Sequence, residues 1–279
     1  MELNVPELPE VEIAARNLRE WTRGRRIVKV EPSPGTARIF RPSRPAALAG
    51  ALAGARFVEI GRRGKQLLVA LEKGGAPVGL LAHLGMTGKW LRRRQGEPVP
   101  RFSRARFALD DGAALHFTDL RLFGRLRVVP GARFAEVPEV AALGPDPFAD
   151  GVDPATLREA LRRSRLPVKV RLMDQRVLAG VGNIYASEAL FRAKIDPRRR
   201  SDSLTPAEVK RLAGTVLEAM REGIARQESP EITYVEEGGE NPFLVYAREG
   251  EKCPRCRRAE IRRLVQAARS TFFCPRCQR

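Results

Sequence analysis

Several residue types on which common enzyme classes depend are scarce in this sequence. Its 279 residues include two histidines and four cysteines, and aromatic residues make up 6% of the chain. His83 and His116 have no cluster of other ligand or nucleophile residues around them, which argues against a histidine metal centre or a catalytic triad. We expect both to pack or to make structural hydrogen bonds. A P-loop, a serine nucleophile elbow and a dinucleotide glycine fingerprint are absent, which argues against the enzyme classes built on them.

Long apolar runs are absent as well. No stretch reaches 18 apolar residues, and the N-terminus has no apolar segment of the signal-peptide type. No basic helix with a strongly apolar opposite face stands out, so we expect no membrane partner. The cysteines are confined to the C-terminal end, in two pairs, which suits a reducing compartment better than a disulfide framework. We therefore expect a cytoplasmic protein.

Acidic residues are outnumbered by basic ones. The chain has 51 Lys and Arg against 33 Asp and Glu, giving a formal charge of +18 at pH 7. Such an excess indicates a polyanionic partner, and nucleic acid is the commonest polyanion.

The hydrophobic pattern changes along the chain. Residues 9–21 have helical periodicity, whereas residues 26–129 contain short apolar runs separated by turn residues, which predict two antiparallel sheets. Four prolines interrupt residues 130–150, where we place a linker. Beyond it, residues 153–165 and 205–227 are predicted helices, and residues 167–195 read as helix, glycine-rich turn and helix.

The cysteine spacing is the strongest local signal. Cys253 and Cys256 form one C-x-x-C pair, and Cys274 and Cys277 form another after a basic hairpin. Four thiolates with this spacing can surround one Zn²⁺ tetrahedrally and leave no position for water. We expect one structural zinc ion that holds the hairpin against an anionic partner.

Other segments remain open to two interpretations when taken alone. The "AGVGN" turn can present backbone N–H groups to a phosphate, with Asn183 adding a side-chain hydrogen bond, or it can be an ordinary tight connection. Glu188 in the following helix is more often a solvated residue. Met86 and Phe123 lie beside glycines on hairpins, where they could wedge into a base stack, but such residues more often belong to the core.

Taken together, the motifs resemble one family. They are PELPEVE (6–12), HLGMTG (83–88), TDLRLFG (118–124), LGPDPF (143–148), GVGNIYASEALF (180–191) and the paired cysteines. In this order they resemble the formamidopyrimidine-DNA glycosylases and endonuclease VIII enzymes of base-excision repair, and more closely the formamidopyrimidine branch. The resemblance implies an α+β fold with an N-terminal helix and antiparallel β-sandwich, a helix-two-turn-helix domain and a C-terminal zinc-ribbon hairpin. It divides the chain into a catalytic sandwich domain (1–135), a linker (136–150), a helix-two-turn-helix domain (151–230) and a loop with the zinc hairpin (231–279).

The resemblance also implies an activity and a set of roles. It implies a monomeric, nucleoid-associated enzyme that removes oxidised bases from duplex DNA, cleaves abasic sites by β,δ-elimination and binds in a cleft between its domains. Catalysis would rest on Pro6 as the amine nucleophile, Glu7 as its acid and Lys65 near the scission site. Residues that fill the gap left by an everted nucleotide would be Met86, Arg121 and Phe123. Phosphate contacts would come from Lys169, Asn183 and Arg269, and Glu188 would support the active site.

The sequence departs from the family pattern in ways that matter for this assignment. Pro6 is preceded by five residues, so its nitrogen as written is an amide rather than a nucleophilic amine. A start at Val5, read from a GTG codon, would expose Pro6 after methionine removal. Proteolytic trimming would do the same, and the remaining alternative is a catalytically silent protein that binds damaged DNA. Smaller departures are Leu120 and Leu122 in the wedge motif, the "RFSR" segment at 101–104 and the segment 228–243, which leave the choice between oxidised purines and pyrimidines open.

Overall fold

A computed structural model describes residues 6–226 and 241–279. The chain forms two compact units, which divide between Ala141 and Ala142, within the predicted linker. We call residues 6–141 the sandwich unit, and residues 142–226 with 241–279 the helical unit. The predicted α+β fold class is confirmed. No helix in the described ranges is long and apolar enough to cross a membrane.

The sandwich unit contains two four-stranded antiparallel sheets. Its elements are α1 (Leu8–Thr22), β1 (Ile27–Pro32), α2 (Pro45–Leu52), β2 (Arg56–Arg63), β3 (Gln66–Lys73), β4 (Ala76–His83), β5 (Lys89–Arg93), β6 (Ser103–Leu109), β7 (Ala114–Thr118), β8 (Arg125–Pro130) and α3 (Pro138–Ala141). One sheet has the order β1-β6-β7-β5 and the other β2-β3-β4-β8. Alternate residues of β3 and β6 are buried, as expected for strands with one face on a core. Two antiparallel sheets were predicted, and this prediction is confirmed.

Helix α1 begins one residue earlier than predicted, at Leu8. Pro9 therefore occupies the second helical position. Backbone N–H groups in the first turn have no partner within the helix, so the missing N–H of proline costs no hydrogen bond there. The apolar face of α1 is buried against β2, β3 and β5. On its other face, Glu12 accepts a hydrogen bond from the buried guanidinium of Arg62 on β2 at 3.0 Å. Burial alone would raise the pKa of Glu12, but the hydrogen bonds from Arg62 and Arg16 hold it below its ordinary value.

Two helices of this unit were not predicted. In α2 the sequence "PAALAGAL" consists of small and apolar residues without a polar face, so it carries no helical periodicity. Leu48 and Leu52 are nevertheless completely buried, which shows that packing fixes this helix. Helix α3 is a single turn inside the predicted linker. Just before it, Val137 is buried with Leu81 and Val129, which anchors the start of the linker to the sheet.

The helical unit contains four helices and one hairpin. They are α4 (Pro154–Arg162), α5 (Val168–Leu172), α6 (Asn183–Ala193), α7 (Pro206–Ala225), β9 (Arg262–Gln266) and β10 (Arg269–Phe273). The Asp153 and Thr205 side chains cap α4 and α7, each followed by proline, as the sequence predicts. The largest fully buried side chain here is Tyr185, which begins a series of edge-to-face aromatic contacts running through Phe243 and Tyr246 to Phe272.

Candidate DNA-binding and catalytic site

The N-terminus of α1 places Pro6 and Glu7 in buried positions. Glu7 is 1% exposed and is the N-cap residue. It forms a capping box with Glu10, whose carboxylate accepts the Glu7 backbone N–H at 2.9 Å. The N–H of the Pro6–Glu7 peptide is thus held by the helix start. Residues 1–5, whose presence decides whether the Pro6 nitrogen is an amide or an amine, lie outside the described residues.

Lys65 lies in the tight turn between β2 and β3, next to Gly64 with a φ of +55°. Its charge acts on His83, which faces the β3 end of this hairpin in the sheet register. Burial, with the positive charges of Lys65 and Arg125, lowers the pKa of His83 to about 4, so the imidazole is neutral at pH 7. His83 Nδ1 accepts the Gly85 backbone N–H at 2.9 Å. His116 Nδ1 lies 2.8 Å from the Ser103 hydroxyl. The predicted structural roles of both histidines are confirmed.

A buried carboxylate, Asp119, holds the two loops that carry the predicted wedge residues. Its side chain is completely buried, and it accepts hydrogen bonds from the Thr87 hydroxyl at 2.5 Å, from Arg121 N–H at 3.1 Å and from Gly124 N–H at 2.7 Å. Gly85 packs so closely that a Cβ there would lie 2.5 Å from the Gly124 nitrogen. The turn around Met86 and the loop 120–124 are therefore one braced structure.

Phe123 projects from this braced loop rather than entering the core. Its side chain is 36% exposed, and the guanidinium carbons of Arg121 and Arg38 lie 4.9 and 5.1 Å from its ring centre. Leu122, just before it, has a φ of +56°, an uncommon conformation for a residue with a branched side chain. Met86 is half-buried. The interpretation of Phe123 as a core residue is wrong.

The loop borders a cavity of about 1030 Å³ in the sandwich unit with a strongly basic lining. Arg38, Arg41, Arg125 and Arg127 contribute to this lining. Arg127 is paired with Glu139 at 2.9 Å, whereas the first three form no ion pair within the described ranges. Unpaired guanidinium groups around an open cavity favour an anionic partner, because arginine matches phosphate geometry well.

Replacing Asp119 with asparagine should loosen this structure. The asparagine amide has one acceptor oxygen where the carboxylate has two. Its NH₂ group would therefore face a donor that the Asp119 carboxylate satisfies in the unaltered protein. We expect a loss of about 1–3 kcal/mol in the free energy of unfolding, the usual effect of leaving a buried polar group unpaired. Chemical denaturation measures it. The exposed Asp110→Asn is the matched control, and equal stability of the two variants would contradict the bracing role.

In the helical unit the glycine-rich turn is held in place by side chains. Gln175 accepts the Gly180 N–H at 2.8 Å and donates to the Val181 carbonyl at 2.8 Å, which presents Gly182 as the N-cap of α6. Asn183 is the first residue of α6. Its side-chain oxygen accepts a hydrogen bond from the completely buried ammonium of Lys169 at 2.5 Å.

Lys169 connects this helix start to the zinc hairpin. Besides Asn183, its Nζ donates to the Ser270 carbonyl at 2.9 Å and to the Thr271 hydroxyl at 2.7 Å. Arg269, which directly precedes Ser270, is exposed at the start of β10. It follows a two-residue turn in which Ala267 and Ala268 have positive φ. The structure thus brings together Lys169, Asn183 and the strand that carries Arg269.

Glu188 is not solvated, so that interpretation is wrong. It is 2% exposed, and its carboxylate accepts three backbone hydrogen bonds of 2.9–3.0 Å from Leu244, Val245 and Tyr246. It therefore fixes the segment that enters the zinc hairpin. The segment 228–243, whose sequence departs from the family pattern, lies almost entirely outside the described residues.

The four cysteines form the metal site that their spacing predicts. Their sulfurs all lie within 4.8 Å of one another, with Cys253 to Cys277 and Cys256 to Cys274 at 3.9 Å. A tetrahedral zinc site with Zn–S bonds of about 2.3 Å has sulfurs about 3.8 Å apart, so the donor set fits. The protein holds one structural zinc ion here.

Removing zinc should disrupt the hairpin and, through it, Lys169. Structural zinc sites supply folding free energy, so we expect the β9–β10 amides to lose protection from hydrogen exchange and affinity for duplex DNA to fall by roughly tenfold or more. Metal analysis, exchange and binding measurements after chelation test this prediction. Zinc add-back is the control, and unchanged affinity in protein shown to be zinc-free would contradict it.

These features together define a class, a zinc-containing DNA-binding protein with an exposed, braced aromatic loop. Three family models match in order: the formamidopyrimidine-DNA glycosylase N-terminal domain over residues 5–126, its H2TH domain over 143–233, and a zinc finger found in FPG and IleRS over 250–279. The chain belongs to the formamidopyrimidine-DNA glycosylase family.

Full-length relatives support this membership. Formamidopyrimidine-DNA glycosylase of Paracoccus denitrificans is 40% identical, with 98% of this chain and 100% of that protein covered. The crystal structure of MutM (Fpg) from Thermus thermophilus is 39% identical with a TM-score of 0.81, covering 98% of both chains. Lactococcus lactis Fpg in complex with DNA containing N7-benzyl-Fapy-dG is 31% identical with a TM-score of 0.87, covering 98% of this chain and 100% of that one.

The role of Asp119 was not predicted from the sequence. Asp119 lies inside the recognised motif TDLRLFG, and its position there could have indicated a turn-stabilising carboxylate. An aspartate whose carboxylate accepts the N–H two residues on is a common turn device, and Asp119 and Arg121 have this spacing. Nothing in the sequence indicated that Arg38 flanks Phe123, because the two residues come together only in the folded unit.

Proposed function

We propose that this chain is a bifunctional DNA glycosylase and abasic-site lyase that removes oxidised bases of the formamidopyrimidine and 8-oxoguanine type. The observation that carries the proposal is the exposed Phe123 between two guanidinium groups on a loop braced by Asp119. A rigid apolar side chain surrounded by positive charge suits insertion into a base stack between phosphates. Solved structures of Lactococcus lactis Fpg hold DNA with an abasic site or a modified formamidopyrimidine.

The first step is eversion of the damaged nucleotide. Taking a base out of the duplex costs a few kcal/mol, least where the base already stacks or pairs poorly. Phe123, Arg121 and Met86 offset this free-energy cost by filling the gap. Because Asp119 already braces the loop, binding needs little further ordering of the loop. Selection of damaged bases begins in this step.

The second step is chemistry at C1′. In a chain that begins at Pro6, the proline nitrogen is a secondary amine. It attacks C1′ and the glycosidic bond breaks, with the electron pair leaving on the base. Glu7 moves a proton from the attacking amine to the sugar ring oxygen or the departing base. Opening of the sugar gives a cationic iminium, which acts as an electron sink. Loss of a C2′ proton then expels the 3′ phosphate, and a further elimination expels the 5′ phosphate.

The remaining site residues hold the backbone of the DNA. Lys65 places positive charge near the phosphates that leave. Asn183 and Arg269 contact phosphates, with the buried charge of Lys169 behind them, and Glu188 supports the segment entering the zinc hairpin. We place the enzyme on chromosomal DNA in the cytoplasm, acting as a monomer.

The test is incubation of the chain that begins at Pro6 with a duplex that carries a single formamidopyrimidine or 8-oxoguanine, followed by separation of the strands. Base release with cleavage at the lesion is expected, and the undamaged duplex should stay intact. The second candidate, a silent damage-binding protein, is motivated by the residues before Pro6. It predicts tight, salt-dependent binding to an abasic duplex without any product, and that outcome would overturn the enzyme proposal.

A further inference from the structure

Phe102, in the "RFSR" segment, is an exposed aromatic residue to which the proposed function assigns no role. It precedes β6, is 40% exposed and has a φ of +57°, an uncommon conformation for a bulky residue. Its loop is nevertheless well tied. The Phe102 carbonyl accepts the Asp119 N–H at 3.0 Å, and Ser103 N–H donates to Pro100 at 3.2 Å. The fold therefore holds this ring at the surface.

Two guanidinium groups flank the ring, as they do at Phe123. The guanidinium carbon of Arg101 lies 5.0 Å from the ring centre and that of Arg104 lies 5.6 Å from it. Arg104 also donates to the Asp119 carbonyl at 2.7 Å. Neither arginine forms an ion pair with any residue in 6–226 or 241–279, so both charges are available to an anion.

Asp119 links this loop to the Phe123 loop. Its backbone binds Phe102 and Arg104, and its carboxylate binds the wedge loop. Leu120, 54% exposed, lies in the connecting segment, and its carbonyl is 3.5 Å from an Arg104 nitrogen. A second arginine-flanked aromatic thus lies on a loop that is hydrogen-bonded to the same residue, Asp119, as the Phe123 loop.

We propose that Phe102 is a further DNA-contacting residue that stacks on a base next to the gap left by the everted nucleotide, while Arg101 and Arg104 contact flanking phosphates. The proposal rests on the proposed function and commits to duplex DNA, because two cations around an exposed ring complement a base between phosphates. A base presents its face only where stacking is interrupted. The contact therefore favours duplex with a gap over intact duplex.

The experiment measures the affinity of the full chain for two duplexes that differ only in one abasic-site analogue. Phe102→Ala should weaken binding to the abasic duplex by about fivefold or more, with a smaller effect on the intact one. Phe102→Trp should restore it. Val28→Ala, which removes an apolar side chain that is 58% exposed on β1, is the control and should bind both duplexes normally. Unfolding midpoints of all variants establish that the fold is kept.

A second measurement tests the charges. Arg101→Gln should reduce the slope of log affinity against log salt by about one, as expected when one phosphate contact is lost. Normal abasic binding by Phe102→Ala, or an equal loss on both duplexes, would overturn the stacking role. Failure of the unaltered chain to prefer the abasic duplex would instead overturn the proposed function, and the inference with it.

Discussion

A chain whose first residue is Pro6 should be trapped covalently by borohydride on a duplex with one abasic site, and a chain that retains residues 1–5 should not. The difference follows from the nitrogen. At a free terminus it is a secondary amine with an unperturbed pKa of about 8, against about 10.4 for lysine, so a useful fraction is unprotonated at pH 7. Within a peptide bond its lone pair is delocalised into the carbonyl, and it cannot attack C1′. We expect essentially complete loss of trapping.

The comparison needs two controls. Mass spectrometry must establish the first residue of each preparation, and both chains must bind the abasic duplex, so that a missing adduct reports on chemistry rather than affinity. Equal trapping of the two chains would remove Pro6 as the nucleophile and direct attention to a lysine. Binding by both without an adduct from either would favour the silent damage-binding protein.

Replacing Glu7 with glutamine in the chain that begins at Pro6 should slow base release by roughly 10²–10⁴-fold, the usual contribution of a positioned acid–base group. Glutamine has nearly the same shape and keeps an oxygen that can accept the capping hydrogen bond at the start of α1. The fold should therefore be retained while proton transfer is lost. Single-turnover excision of a damaged base measures the effect, and abasic-duplex affinity should change little.

Glu10→Gln provides the matched control. Glu10 belongs to the same capping box, and its carboxylate accepts the Glu7 N–H, so this variant disturbs the helix start to a similar degree. We assign it no part in proton transfer. A rate loss of the same size in both variants would show that Glu7 acts by holding the helix start, and an unaltered rate in Glu7→Gln would remove it from the mechanism.

Local patterns in the sequence were sufficient for much of the fold and for the zinc site. Short apolar runs separated by turn residues predicted the two sheets, proline after Asp153 or Thr205 predicted two helix starts, and the cysteine spacing predicted four sulfurs around one ion. The strand patterns, the helix caps and the C-x-x-C pairs each depend on residues close together in the chain, where geometry is nearly fixed by the element type. Helix α2 escaped prediction because its small apolar residues have no polar face to define a period.

The site required more than local pattern. From the residues alone, Glu188 read as solvated and Phe123 as part of the core, and both interpretations were wrong. Their positions depend on partners far along the chain: Leu244, Val245 and Tyr246 for Glu188, and Arg38 for Phe123.

Composition, periodicity and motif spacing by themselves thus determined a basic, zinc-containing chain with the motifs of one repair family. Only the tertiary structure decided that Asp119 would be buried as the common support of three loops, and that two arginine-flanked rings would stand at the surface. A carboxylate shows which donors it satisfies only when strands distant in sequence bring them within hydrogen-bond distance, and a side chain's exposure is set by what packs around it.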